Sequence, residues 1–237
     1  MMANNYFSFK QFTVLQDKCS FKVGTDGVLL GACADIAGVK RILDIGTGTG
    51  LIALMLAQRC DAAITAIEPD RDSFEQACKN VADSKWSDRI DTLNTDLQSF
   101  NAGNIKFDLI IANPPYFKDS LRNPEPGKAS ARHNVILNND ELLKGVSHLL
   151  TDNGRFQTIM PYVEGNIFIA EAREYGLYCN NILKIKPLPT SEIRRLIMTF
   201  SGYRKKPVEK ILTIEHGKRH EFTEEYINLT KDFYLKF

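Results

Sequence analysis

No stretch of this sequence stays apolar for long enough to cross a membrane. The run from Val28 to Ala37 is short and carries Asp35. The N-terminal region has Lys10 and several phenylalanines but no apolar core of the kind a leader needs, so a cytoplasmic protein is expected. Cysteine is sparse and scattered. Cys19, Cys33, Cys60, Cys78 and Cys179 include no Cys-x-x-Cys pair. That argues against a zinc site or a disulfide framework and for reduced thiols, and no metal is expected. Excess charge of one sign is missing as well: the balance is +1 over 237 residues, which by itself points to no partner. Repeats and low-complexity segments are absent. What remains is one large domain with short extensions.

The chain alternates strand and helix patterns. Arg41–Ile45 reads as a strand, Gly46-Thr47-Gly48-Thr49-Gly50 as the turn after it, and Leu51–Arg59 as a helix. In that arrangement backbone can approach a nucleotide closely. The glycine spacing is not that of the dinucleotide fingerprint, which would want a residue like glycine at Leu51. Asp44 stands two residues before the turn, where a pyrophosphate would be repelled and an ammonium or hydroxyl group welcomed. A second strand, Ala63–Ile67, ends at Glu68, an acid well placed for two ribose hydroxyls. Pro69-Asp70 opens a helix with Phe74, Ala77, Cys78 and Val81 on one face. Ile90–Leu93 is a third strand, followed by Asp96 in a loop. Thr25 or Asp26 caps a helix expected over about 27–36; either it is only a cap, or its bare N–H groups face a carboxylate.

The most informative stretch is Phe107-Asp108-Leu109-Ile110-Ile111-Ala112-Asn113-Pro114-Pro115-Tyr116-Phe117. A buried strand must stop at Asn113, because neither proline can donate to a ladder. The two prolines hold Asn113 and Pro114 in extended conformations and fix the directions of their carbonyls. A fixed amide and carbonyl beside an aromatic ring suit the capture of a flat group bearing an NH₂. Further strands are expected at Arg155–Met160, Ile182–Ile185 and Leu196–Phe200, with Lys210–Ile214 as a further edge strand and Glu224–Tyr234 as a terminal helix. The expected fold class is α/β: a doubly wound, mainly parallel seven-stranded sheet, Rossmann-like, with an antiparallel last strand. On it, Asp44, Glu68, Asp96 and Asn113 all fall at the carboxyl ends of strands, where ligands bind.

These residues resemble the class I S-adenosylmethionine-dependent methyltransferases that carry an Asn-Pro-Pro-Tyr motif. The resemblance runs from about Gly24 to Arg204. It implies a domain over 24–204, with 1–23 as an arm and 205–237 as an extension packed on it. It implies S-adenosylmethionine as cofactor, held by Thr25, Asp44, Gly46, Thr47, Gly48, Gly50, Glu68, Asp96, the Leu97 backbone and Asn113. Asn113, Pro114, Pro115 and Tyr116 would be the catalytic set. Phe21 to Ala32 and Ala131-Arg132-His133 further resemble the bacterial enzymes that methylate the exocyclic nitrogen of adenine 37 in a valine tRNA. The motif is shared with enzymes acting on a protein glutamine, which stays as an alternative substrate. A non-catalytic RNA-binding module would need a broken motif, and this one is intact.

A tRNA partner also fits the distribution of charge. From Lys184 to His220 there are ten Lys and Arg against three acids. Arg194, Arg195, Arg204 and Lys205 are the expected phosphate contacts there. Phe117, Arg122, Arg132 and His133, from a long segment without helix or strand signals, are expected to join them. Neither DNA nor an obligate protein partner is expected.

Overall fold

The computed structural model describes residues 4–19, 21–115 and 137–237. The chain opens with a hairpin, β1 (Tyr6–Ser8) and β2 (Thr13–Leu15), and a first helix, α1 (Thr25–Cys33). Then come β3 (Arg41–Ile45), α2 (Leu51–Arg59), β4 (Ala63–Ile67), α3 (Arg71–Ala82), β5 (Ile90–Leu93) and β6 (Phe107–Ala112). The second half holds α4 (Asn139–Leu149), β7 (Leu150–Pro161), α5 (Tyr162–Ala172), β8 (Tyr178–Lys186), β9 (Arg195–Ser201), β10 (Val208–Thr213) and α6 (Glu224–Thr230).

Among the described residues, eight strands form one sheet in the order β10-β8-β9-β7-β6-β3-β4-β5. β9 runs antiparallel between β7 and β8; the other pairings are parallel. An antiparallel β8–β9 pair was expected, because no crossover helix separates them; the insertion of β9 between β7 and β8 was not. The further edge strand expected at Lys210–Ile214 is present as β10, parallel to β8 at the edge of the sheet.

Both faces of the sheet are covered, which is why its central strands carry near-continuous apolar runs, such as Leu109–Ala112, rather than an alternating pattern. One face packs α1 and α2, with Leu29, Leu30, Leu54, Met55 and Leu56 fully buried. Leu212 of β10 and Tyr226 of α6 join that face. The other face packs α4 and α5 through Leu143, Val146 and Phe168. There Phe156, Phe168 and Phe200 touch one another with ring centroids 5.6–6.2 Å apart, contacts worth about 0.5–1.5 kcal/mol each beyond burial.

Local chemistry explains most boundaries. Asp70 caps α3 by accepting from Ser73 N at 3.0 Å. Asn138 and Glu141 close a capping box on α4. α1 begins at Thr25, not two residues later, because extended Gly24 takes the cap position. Among the described residues, no helix is long and apolar enough to cross a membrane, no group of His, Cys, Asp and Glu is arranged for a metal, and the cysteines are free thiols.

The strand order reverses between β3 and β6: β4 and β5 lie on one side of β3, β6 and β7 on the other. A crevice at the carboxyl ends of strands flanking such a reversal is where doubly wound sheets bind ligands.

Candidate functional site

The register of β3 against β6 pairs Asp44 with Ile111 and Ile45 with Ala112. Gly46 and Asn113 therefore leave the sheet side by side, at the reversal point. Gly46, Gly48 and Gly50 all have positive φ (68°, 57° and 81°), which L side chains adopt only with strain. Three left-handed residues within five fold the turn back on itself. Gly46 N and Thr47 N donate to Ile67 O at the tip of β4, at 2.9 and 3.1 Å.

Asp44 lies beneath this turn and is 0% exposed. Its Oδ2 accepts the Thr47 hydroxyl at 2.6 Å. Its Oδ1 has no hydrogen-bond partner among the described residues. Burial drives the carboxyl pKa up from 3.8 to about 7; Thr47 and the Ala53 backbone amide oppose the rise, and the charge of Glu68 adds to it. A fully buried carboxyl with an orphan oxygen is costly unless something supplies a donor or a positive charge. An ammonium group would do both.

Glu68, at the end of β4, is buried as well, and burial raises its pKa. One of its oxygens accepts Gly48 N at 2.8 Å and the other Asp70 N at 3.0 Å. Each oxygen keeps a lone pair for a further donor such as a ribose hydroxyl. Asn94 holds the same strand tip by donating to Glu68 O and Pro69 O, at 2.8 and 3.1 Å. Asp96 is half-buried and accepts Ser99 N at 2.7 Å. Leu97 turns into the core, where a Cβ at Gly145 would stand 2.6 Å from its Cδ2; only glycine fits there.

On the other side of the crevice stands the start of α1. A Cβ at Gly27 would lie 3.0 Å from Leu51 Cδ2 and 3.9 Å from Asn113 Nδ2, so this helix start abuts both α2 and the Asn-Pro-Pro corner. Thr25 is exposed there. Arg195, the first residue of β9, reaches Asp26 with Nε to Oδ2 at 2.8 Å, both side chains about one third exposed. Arg195 therefore ties α1 to the sheet, an ion pair with no sequence signal, since 169 residues separate the partners.

The predicted RNA contacts divide. Arg194 is exposed at the ligand edge of the sheet. Arg204 and Lys205 follow the other end of β9, because β9 pairs Arg195 with Pro161 and Ser201 with Arg155 of β7. That places them about 20 Å away, at the opposite edge. Lys205 Nζ sits 4.6 Å over the Tyr203 ring. Tyr116, Phe117, Arg122, Arg132 and His133 lie outside the described residues.

Sequence reasoning missed the polar face of α3. Its buried residues are Ser73, Gln76, Ala77, Asn80 and Val81. Asn80, 1% exposed, accepts Leu15 N and donates to Leu15 O and to Thr49 O, each at 2.9 Å. Gln76 accepts Lys18 N at 3.1 Å. The N-terminal arm is thereby bonded through α3 to the glycine turn. Only the position of two carboxamides at i and i+4, on the face continuous with Ala77 and Val81, could have hinted at it.

The methyltransferase small domain model matches residues 20–160. A protein named tRNA1(Val) (adenine(37)-N6)-methyltransferase from Phocaeicola vulgatus is 49% identical over 234 residues, covering 99% of each chain. Relatives of the same name from Bacteroides fragilis (99% of this chain and 100% of that one) and Trichodesmium erythraeum (100% of both) are 45% and 44% identical. Among solved structures, a predicted O-methyltransferase from Agrobacterium tumefaciens superposes with a TM-score of 0.65 at 23% identity, over 88% of this chain and 96% of that one. A Pyrococcus horikoshii protein in complex with MeSAdo gives 0.58 at 18% identity, over 84% and 71%; at such identities the likeness is one of fold. With the family model matched over more than half of the chain and relatives 44–49% identical along its whole length, this chain belongs to the methyltransferase small domain family.

Proposed function

We propose that this enzyme transfers a methyl group from S-adenosylmethionine to the exocyclic N6 of an adenine in tRNA, adenine 37 of a valine tRNA being the expected target. The carrying observation is Asp44: a fully buried carboxyl with an unpartnered oxygen, on the strand next to Asn113. The residues fit a cofactor that bears an ammonium group and ribose hydroxyls. Asp44 would take the ammonium, the turn at Gly46–Gly50 would lie against the amino-acid part, Glu68 would take the ribose, and Asp96 with the Leu97 backbone would border the base. Bound there, S-adenosylmethionine supplies an electrophilic methyl group.

The chain's own part is positioning. An aromatic amine is a weak nucleophile because its lone pair is delocalised into the ring. The Asn113 side-chain oxygen and the Pro114 carbonyl, held by two successive prolines, would each accept one amine hydrogen. That draws the nitrogen toward tetrahedral geometry and places stabilising dipoles where positive charge develops. No general base is needed before transfer. Tyr116 would stack on the base, which must leave its own stack to enter; in a single-stranded loop that costs little.

A tRNA substrate is supported by the names of relatives over the full chain length, and it puts the enzyme's work in the cytoplasm. The test is incubation with methyl-labelled cofactor and either total bacterial tRNA or total bacterial protein. Label in tRNA as N6-methyladenosine supports the proposal. Label in a protein glutamine, with none in tRNA, replaces it.

A further inference from the structure

The helix that starts at the ligand edge, α5, turns large apolar side chains to water. Tyr162 is 42% exposed, Val163 64% and Ile167 52%. Val163 and Ile167 are four apart and share a face, while the opposite side of the helix buries Gly165 and Phe168. Three large apolar side chains left in water within the first six residues of one helix mark a contact surface. Its place says what kind. Ala112 pairs with Thr158 on β7, so Asn113 lies one residue beyond that level and Tyr162 four residues beyond it, one strand over. Tyr162 is thus roughly 10 Å past Asn113 along the strand direction. Tyr162 N donates to Arg194 O at 3.2 Å, so an exposed aromatic ring and an exposed guanidinium rise from bonded backbones at the mouth of the crevice. The neighbouring cation, Arg195, is already engaged with Asp26. Glu164, in the first turn of α5, disfavours phosphate over the helix itself, so the α5 face suits bases and leaves the phosphate to Arg194 beside it.

We propose that Tyr162, with Val163 and Ile167 behind it, is a stacking platform for the nucleotides that flank the target adenine, and that Arg194 takes a phosphate of the same single-stranded segment. The platform rests on RNA being the substrate. A base extruded into the crevice leaves its neighbours unstacked, and an aromatic face with an adjacent cation recovers that stacking without regard to base identity. A flat base covers apolar surface that water now meets.

The test uses the full-length protein and a fluorescent anticodon stem-loop that the wild type methylates. Tyr162→Ala should weaken RNA affinity by about 10-fold or more, on the scale of one lost base stack. Tyr162→Phe should stay within about twofold, because the ring and not the hydroxyl does the stacking. Cofactor affinity should be the same in all three proteins. Arg194→Ala should weaken binding and flatten its salt dependence by about one contact. RNA binding by Tyr162→Ala equal to wild type would overturn the platform while leaving tRNA methylation standing. A wild type that dimerises through α5, with Ile167→Asp giving monomers of undiminished RNA affinity, would assign the strip to self-association instead. Failure of the wild type to methylate tRNA at all would remove the functional proposal itself, and the platform with it.

Discussion

Asp44→Asn separates the price of a buried charge from its use. In the free protein, burial holds the Asp44 carboxyl pKa near 7, against 3.8 in an exposed chain. The sign of the linkage follows. Between about pH 4 and pH 7 the folded protein keeps a proton that the unfolded chain has lost, so stability falls as pH rises through this window. At 1.36 kcal/mol per tenfold, the rise corresponds to roughly 4 kcal/mol as an upper bound. Asparagine is nearly isosteric and can still accept the Thr47 hydroxyl that Oδ2 accepts at 2.6 Å. Urea unfolding without cofactor should then show Asp44→Asn gaining about 2–4 kcal/mol on wild type between pH 5 and pH 8. With cofactor the order reverses. Removing the carboxylate should weaken cofactor binding by about 10²-fold or more at pH 8, the scale of a buried ion pair losing one partner. Wild-type affinity should also drop below about pH 7, where Asp44 takes up its proton. Calorimetry across pH 6–8 checks both. Cofactor affinity independent of pH, together with no relative gain in stability for the variant, would refute an ionised Asp44 as the ammonium acceptor.

Three further outcomes are expected. Asn80→Leu strands Leu15 N, Leu15 O and Thr49 O, which Asn80 now pairs; it should cost about 2–4 kcal/mol in urea unfolding and raise the cofactor KM more than it lowers turnover at saturation. Arg195→Ala removes a partly exposed pair with Asp26, so stability should fall by no more than about 1 kcal/mol; turnover should drop about 10-fold through displacement of the α1 start, the salt slope of RNA binding should not move, and the charge-swapped double variant Arg195→Asp, Asp26→Arg should recover rate. Arg204→Ala with Lys205→Ala, at the far edge of the sheet, should leave methylation of a bare anticodon stem-loop within about twofold, measured as kcat/KM.

The half of the fold that carries the crevice was legible from residue pattern. β3, β4, β5, β6 and α2 have the limits expected of them, because short apolar runs there end at glycines, prolines or acids that cannot continue them. Elsewhere, tertiary pairing overrode the local signal. β7 begins at Leu150 rather than Arg155: in the sequence, Leu150 continues the apolar pattern of the preceding helix and Gly154 reads as that helix's stop. β8 begins at Tyr178 rather than Ile182, since pairing with β9 carries it through polar Asn180 and Asn181. The placement of Asp44, Glu68 and Asn113 at strand ends was readable, because each strand's apolar run stops at or beside them. The site was not readable where long-range contacts decide. Asn80 and Gln76 look like surface residues of an amphipathic helix until the arm's backbone lies across them. Arg194 and Arg195 look alike in sequence, but only one is bound to Asp26. Arg204 and Lys205 belong to the same basic block as Arg194 in sequence and to opposite edges of the sheet in space.

The central claim is that Asn113, fixed at the end of β6 beside the glycine turn, aims an adenine amine at the methyl group. Single-turnover methylation of tRNA by Asn113→Ala, with cofactor affinity measured on the same sample, tests it most directly. The account predicts a rate lower by about 10²-fold or more, the scale of a lost transition-state dipole, with cofactor affinity nearly intact. A single-turnover rate near wild type, with label still entering N6 of adenine, would contradict it.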